Sequence, residues 1–278
     1  MTRLVSTDRG IGRLSDEATI ELLEVTAADI SQALASGTTV AELSSASVRE
    51  RVAAGDVTLL APVPRPSKIW AVGYGYHDHR VETGFESDAT EPVVFLKAPS
   101  SVTATGQPIL LPAVAPDECD YEGELGVIVG ARLTAVDEPT ARAGVAGYTI
   151  CNDVSARDVQ KGRIPGRQAD TSAAKSFDTF TPTGPCLVTL DELPDPDDLQ
   201  LRTWVDGELR QDARTSDLIT SVPQIVSYLS HQTTLEAGDL ILTGTPGGVG
   251  HKRGLFLRRG TEIRINIEGV GELINTCA

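Results

Sequence analysis

The sequence is short of several things, and each shortage closes off a class of function. No stretch approaches the roughly 20 apolar residues that a membrane-spanning helix needs, so a membrane partner is not expected. Basic residues are outnumbered, 24 Lys and Arg against 39 Asp and Glu, and the formal charge of −15 leaves no broad positive surface for neutralising phosphates. Aromatic residues make up only 4%, too few for the stacking platforms of single-stranded nucleic-acid binders. Nucleic acid is therefore not an expected partner. The four cysteines, Cys119, Cys151, Cys186 and Cys277, lie far apart with no CxxC spacing, which argues against a disulfide framework and against a thiolate zinc site. They are expected to be reduced and mostly buried. The opening residues, MTRLVSTDRGIGRL, hold no apolar segment followed by a small-residue cleavage site, so the expected compartment is the cytoplasm.

What is present fits one substantial core with a small addition at one end: 278 residues, 40% hydrophobic and 23% charged. Residues 1–60 read as a small N-terminal lobe in which DEATIELLEV and TAADISQALASG each suggest a short helix. The Pro-rich run APVPRPSK (61–68) cannot continue a helix and reads as a linker. From Lys68 onward, β-rich runs alternate with Gly, Pro and Asp punctuation, among them KIWAVGYGY, PVVFLKA, ELGVIVG, AGYTICND and EIRINIEG. Asp206-Gly207 suits a type I′ turn between two alternating segments. In this part helical signals are few: the stretch around HDHRVET, PTARAGVAG and LITSVPQIVSYLSHQ. The expected fold class is α+β and strand-dominated, with residues 61–278 as the main domain.

The segment DECDYEGELGVIVG places Glu122 and Glu124 two apart before an apolar run. At strand periodicity both carboxylates project into one space. Asp153 follows a second apolar run, AGYTIC, and opens a turn. Three carboxylates with waters form the ligand set that a hard cation such as Mg²⁺ or Mn²⁺ prefers. A bare E-x-E at a strand end is most often a solvated edge, and spacing alone does not overturn that.

The wider context does. VGYGYHDHRVE (72–82), DYEGELGVIVG (120–130), GYTICNDVSARDVQ (147–160), AKSFDTFTPTGP (174–185), VDGELRQDARTSDLI (205–219) and LEAGDLILTGTPGGVG (235–250) occur in this order, and together they resemble the fumarylacetoacetate hydrolase family over roughly residues 68–270. The resemblance implies a mixed β-roll or β-sandwich catalytic domain, a homodimer, and a catalytic Mg²⁺ or Mn²⁺, with Ca²⁺ as an alternative, held by Glu122, Glu124 and Asp153. It assigns His79 and Glu82 to water activation, a carboxylate on imidazole fixing the tautomer and raising basicity. Lys175 takes the place of the lysine that bears on the substrate oxyanion. Arg157 and Gln160 fall where the family binds the substrate carboxylate, and a guanidinium can grip a carboxylate with two parallel hydrogen bonds. Tyr76 and Thr245 are further substrate contacts, His77 is expected on the surface, and Lys97 anchors either the acids or the substrate. The loop TGTPGGVG (243–250) can bring its amides close to a ligand but lacks the Lys-Ser/Thr of a nucleotide loop.

Two departures bear on substrate shape: Gly75 stands where the family commonly has Asn, and GRIPGRQADTSAA (162–174) lacks an aromatic often found there. The implied partner is a small anionic 2-oxo acid. The expected reaction is hydrolysis of a C–C bond in a β-diketo acid of the acylpyruvate type through a metal-bound enolate, because the H-x-x-E pair supplies an activated water. Decarboxylation, isomerisation of hydroxymuconate-type acids and dehydration of sugar-derived acids share the same enolate. A catalytically silent metal-binding protein is the reading from another class.

Overall fold

The runs Gly123–Val129 and Val145–Asn152 are apolar at nearly every position, the pattern of strands covered on both faces. Both are strands, buried throughout and paired antiparallel. The computed structural model describes residues 3–16, 18–87, 91–193 and 196–278. In chain order the strands are β1 (Arg3–Thr7), β2 (Gly10–Leu14), β3 (Thr19–Leu23), β4 (Val48–Ala53), β5 (Ile69–Gly73), β6 (Val93–Lys97), β7 (Val102–Ala104), β8 (Cys119–Asp120), β9 (Gly123–Val129), β10 (Val145–Asn152), β11 (Ser155–Ala156), β12 (Thr181–Thr189), β13 (Gln200–Val205), β14 (Glu208–Arg214), β15 (Leu240–Leu242), β16 (Glu262–Ile267) and β17 (Gly271–Thr276). The α-helices are short: α1 (Ile30–Ala35), α2 (Val40–Ser45), α3 (His77–Thr83), α4 (Glu138–Ala143), α5 (Arg157–Gln160), α6 (Thr171–Ala174), α7 (Val222–Gln232) and α8 (Gly250–Arg253).

The large sheet runs β4-β3-β2-β1-β12-β10-β9-β15-β5-β6, with β7 added parallel to β12. A second sheet runs β14-β13-β16-β17, and β8 pairs with β11. The fold is α+β and strand-dominated, as the sequence indicates. Side-chain alternation along β9 explains how the layers cohere. Leu125, Val127 and Val129 pack into a core shared with Leu201, Ile263, Ile265 and Ile267 of the second sheet. Ile128 points the other way, into a core with Ile30 and Leu34 of α1, Ile69 and Leu240. Among the described residues no helix is long and apolar enough to cross a membrane.

The N-terminal segment departs from its expected texture. DEATIELLEV forms β3 rather than a helix, because Glu21 stands directly between Arg13 of β2 and Arg51 of β4 and its carboxylate is bonded by both guanidinia. TAADISQALASG does contain a helix, α1, capped by Asp29. The four N-terminal strands extend the large sheet through β1 and β12, and α1 shares a core with strands of the main domain. The run 61–68 is irregular as expected, but Ala61 and Val63 are buried, so it is a packed connection. Asp206 and Gly207 both have positive φ, 49° and 79°, as the I′ turn between β13 and β14 requires.

Candidate active site

The antiparallel register of β9 and β10 decides where the acids meet. Cys151 faces Glu124 and Asn152 faces Gly123. Glu122 and Asp153 lie just beyond that rung, joined by the Asp153 N–H donating to the Glu122 carbonyl at 2.8 Å. Glu122, Glu124 and Asp153 each present a carboxylate oxygen within 4.8 Å of the others, and all three are buried.

Like charges buried this closely need partners. Lys175 Nζ donates to Glu122 Oε2 and Asp153 Oδ2, each at 2.6 Å. Lys97 Nζ donates to Asp153 Oδ1 at 2.5 Å and to the Phe180 carbonyl at 3.0 Å. Of the two roles open to Lys97 in the sequence, the structure shows the first, an anchor for the acids. Arg157 donates to Glu122 through Nη2, to Asp120 through Nε at 2.9 Å and to Gln160 Oε1 through Nη1 at 3.0 Å, and its Nη2 lies 2.8 Å from Asp120 Oδ2 as an ion pair. The guanidinium that the resemblance assigned to a substrate carboxylate is thus held largely by the protein's own acids, while Nη1 keeps a second N–H that could reach a ligand.

Glu124 differs from its neighbours. It accepts the Gly244 N–H at 2.6 Å, and no Lys, Arg or His nitrogen lies within 4 Å of it among the described residues. Burial, then Asp153 and Glu122, push its carboxyl well above the ordinary carboxylate range. Glu122 moves the other way: burial alone would raise it, but Arg157 and Lys175 hold it below that range. In this cluster four buried carboxylates, Asp120, Glu122, Glu124 and Asp153, face three buried cations, Lys97, Arg157 and Lys175. By formal charge one carboxyl, Glu124, is left without a counterion, and its raised pKa follows from burial and from that lack. An all-oxygen donor set with surplus negative charge suits a hard divalent cation, and the triad could hold one.

The glycine-rich loop forms the adjoining wall, but its four glycine amides are already used. Gly244, Gly247, Gly248 and Gly250 donate to Glu124, Asp78, Glu82 and Asp120 respectively. The loop is thus a clamped wall rather than a free anion cradle. Thr245 lines the cavity, its hydroxyl donating to the Gly123 carbonyl at 3.0 Å and accepting from Gln211 at 2.8 Å. On α3, His79 Nδ1 lies 3.4 Å from Glu82 Oε2. The ring is buried and stacks on Tyr74, which stacks in turn on Phe85.

A cavity of about 230 Å³ opens over this arrangement, lined by His79, Glu122, Arg157, Gln160, Lys175 and Thr245 among others. Glu82 supports His79 from behind, and His77 is exposed as expected. Tyr76 is the exception. It is fully buried and does not line the cavity; Tyr74 does. The chain leaves β5 with Tyr74 at φ 55°, and Tyr76 then turns inward to cap α3 and bridge to Leu218. Burial, with Glu124, Asp78 and Asp217 nearby, raises its hydroxyl pKa, and the place on the cavity wall expected of Tyr76 is taken by Tyr74.

Sequence reasoning passed over Asp120, Gln211 and His251. The period-two series Asp120, Glu122, Glu124 could have found the first. Gln211 bridges Gly123 N–H, Thr245 and the Pro246 carbonyl, a role that no local pattern announces. His251 lies only one residue beyond the glycine loop and lines the cavity.

Residues 68–278 match the family model for the fumarylacetoacetate (FAA) hydrolase C-terminal domain. The chain is 44% identical over 226 residues to the oxaloacetate tautomerase YisK of Bacillus subtilis (strain 168), covering 79% of this chain and 73% of that protein. Among solved structures, a fumarylacetoacetate hydrolase from psychrophilic Exiguobacterium antarcticum superposes with a TM-score of 0.85 at 34% identity, covering 100% of this chain and 99% of the other. A 2-hydroxyhepta-2,4-diene-1,7-dioate isomerase from Mycobacterium marinum gives 0.81 at 34% identity, covering 100% and 98%.

Proposed function

As the chain belongs to the fumarylacetoacetate hydrolase family, we propose that it is a Mg²⁺- or Mn²⁺-dependent enzyme that moves a proton between carbon and oxygen of a small 2-oxo acid, a keto–enol tautomerase or isomerase. The observation that carries this reading is the buried acidic triad under a small cavity, with Glu124 lacking a counterion and Lys175 facing the same space. Glu122, Glu124 and Asp153 would hold the cation, which supplies Lewis acidity towards a 2-oxo group.

The chain's own groups account for the rest. His79, held through Nδ1 by Glu82, has Nε2 free to take a proton from the carbon beside the carbonyl and deliver it to the enolate oxygen, or to run the same transfer in reverse. Lys175, fixed by two carboxylates and set 5.1 Å over the Phe95 ring, places a positive charge where the enolate oxygen develops. Compared with the hydrolysis expected from sequence, this reading is supported by the tautomerase and isomerase relatives. The His79–Glu82 pair favours C–C hydrolysis as a second reading, since it could equally activate water. Homodimerisation and a cytoplasmic location remain part of the proposal.

The test is the decay of oxaloacetate enol absorbance with Mn²⁺-loaded protein, beside acylpyruvate cleavage. Faster relaxation of oxaloacetate, reduced about 10²–10⁴-fold in His79→Ala, supports the tautomerase; acylpyruvate cleavage alone would replace it with the hydrolase.

A further inference from the structure

The molecule carries a net charge of −15, yet the cavity wall gathers Arg157, Lys161, Lys175, His251 and Lys252, and Glu122 is the only acidic residue among its described lining. The inner cations are accounted for: Lys175 and Arg157 are bonded to Glu122, Asp153 and Asp120. The outer ones are not. Lys252 Nζ donates to a backbone carbonyl, that of Thr83, at 3.1 Å. Lys161 has no carboxylate within 4 Å among the described residues, and partial desolvation of its exposed side chain, then Arg163, Arg157 and Lys252, disfavour its charged form.

These lysines are not loose surface charges. Lys161 directly follows α5 and Lys252 lies in α8, and one fully buried carboxylate ties the two segments together. Asp120 accepts from Arg157 at the start of α5 and from the Gly250 and His251 amides of α8. Holding two ammonium groups at one cavity mouth without an acid is unfavourable unless an anion joins them. Residues 162–174, which follow Lys161, contain no aromatic residue and contribute Thr171 to the lining.

We infer that Lys161 and Lys252, with the His251 ring, form a second anion subsite that takes the distal carboxylate of a dicarboxylic 2-oxo acid while its 2-oxo acid end lies over the triad. The inference rests on the 2-oxo acid reading above and narrows its substrate class to dicarboxylates.

The experiment compares oxaloacetate with 2-oxobutyrate, which has the same chain length but no distal carboxylate, on Mn²⁺-loaded wild type, Lys161→Gln, Lys252→Gln and the double variant. Both lysines are exposed, so these variants are expected to fold. Each single change should weaken oxaloacetate about tenfold, in KM and calorimetric Kd rather than kcat, and the double change more. The Kd for 2-oxobutyrate should shift less than about twofold. Arg132→Gln, outside the cavity lining, should leave both unchanged. Equal losses for the two acids, or no loss for oxaloacetate, would overturn the subsite, as would a wild type with no preference for oxaloacetate. A wild type that shows the preference but does not accelerate tautomerisation supports the subsite and overturns the catalytic reading instead.

Discussion

His251 shows how one side chain can tie stability to acidity. Its imidazole is pushed down to about 3 by burial and by Arg157, Lys161 and Lys252, from an ordinary value of 6.5. A histidine depressed on folding stays neutral in the native state while the unfolded chain takes up a proton. Stability therefore falls as pH drops below about 6.5 and continues to fall until about 3. Urea midpoints at pH 7 and pH 5 should separate more for wild type than for His251→Gln; equal separations would show that the ring does not carry this dependence. At the same scale, most cluster residues were legible as residue types but not as partners. Arg157 looked like a substrate clamp because guanidinium suits carboxylates, and the carboxylates it found were the protein's own. Tyr76, offered as a substrate contact beside the resemblance, lies inside the core because the chain turns at Tyr74.

At the scale of elements, the site is a product of register. A two-residue offset between β9 and β10 would part Glu122 from Asp153, and the long apolar runs that specify those strands were plain in the sequence. The glycine loop was legible as a close approach, though the surface it approaches was not. Gly75 sits against it: a β-carbon there would lie 2.7 Å from the Thr243 carbonyl oxygen and 3.2 Å from Gly244 Cα. Both contacts are backbone, so Gly75→Ala must displace the strand end or the loop, at a cost of about 1–3 kcal/mol. Because Gly244 donates to Glu124, the variant should also weaken Mn²⁺ binding. Chemical denaturation and a manganese titration check the two effects, and a normal manganese affinity would disconnect the loop from the acids. The N-terminal helix expected over DEATIELLEV failed for an element-level reason: the Arg13–Glu21–Arg51 ladder exists only once three strands are side by side, beyond the reach of a local pattern.

At the scale of the molecule, the surplus negative charge of the buried cluster sets an expectation for the whole fold. A cation that binds only the native state at a hundredfold excess over its Kd adds about 2.7 kcal/mol, so Mn²⁺ should raise the Tm of wild type by several degrees. Glu124→Gln removes the carboxylate that lacks a counterion. Its metal-free Tm should match or exceed that of metal-free wild type, and Mn²⁺ should no longer raise it. A large Mn²⁺ shift surviving in Glu124→Gln would place the ion elsewhere. Strand content and the main apolar runs were readable from residues alone. The joining of residues 1–60 to the large sheet was not, because the β1–β12 pairing spans about 180 residues of intervening chain and leaves no periodic trace.

Lys175 reaches both Glu122 and Asp153 with a single ammonium group. The protein thereby carries a built-in spacer between two of its three acids, one that cannot diffuse away. Chelation should empty the centre without springing it open, and the stripped protein should accept manganese again without refolding.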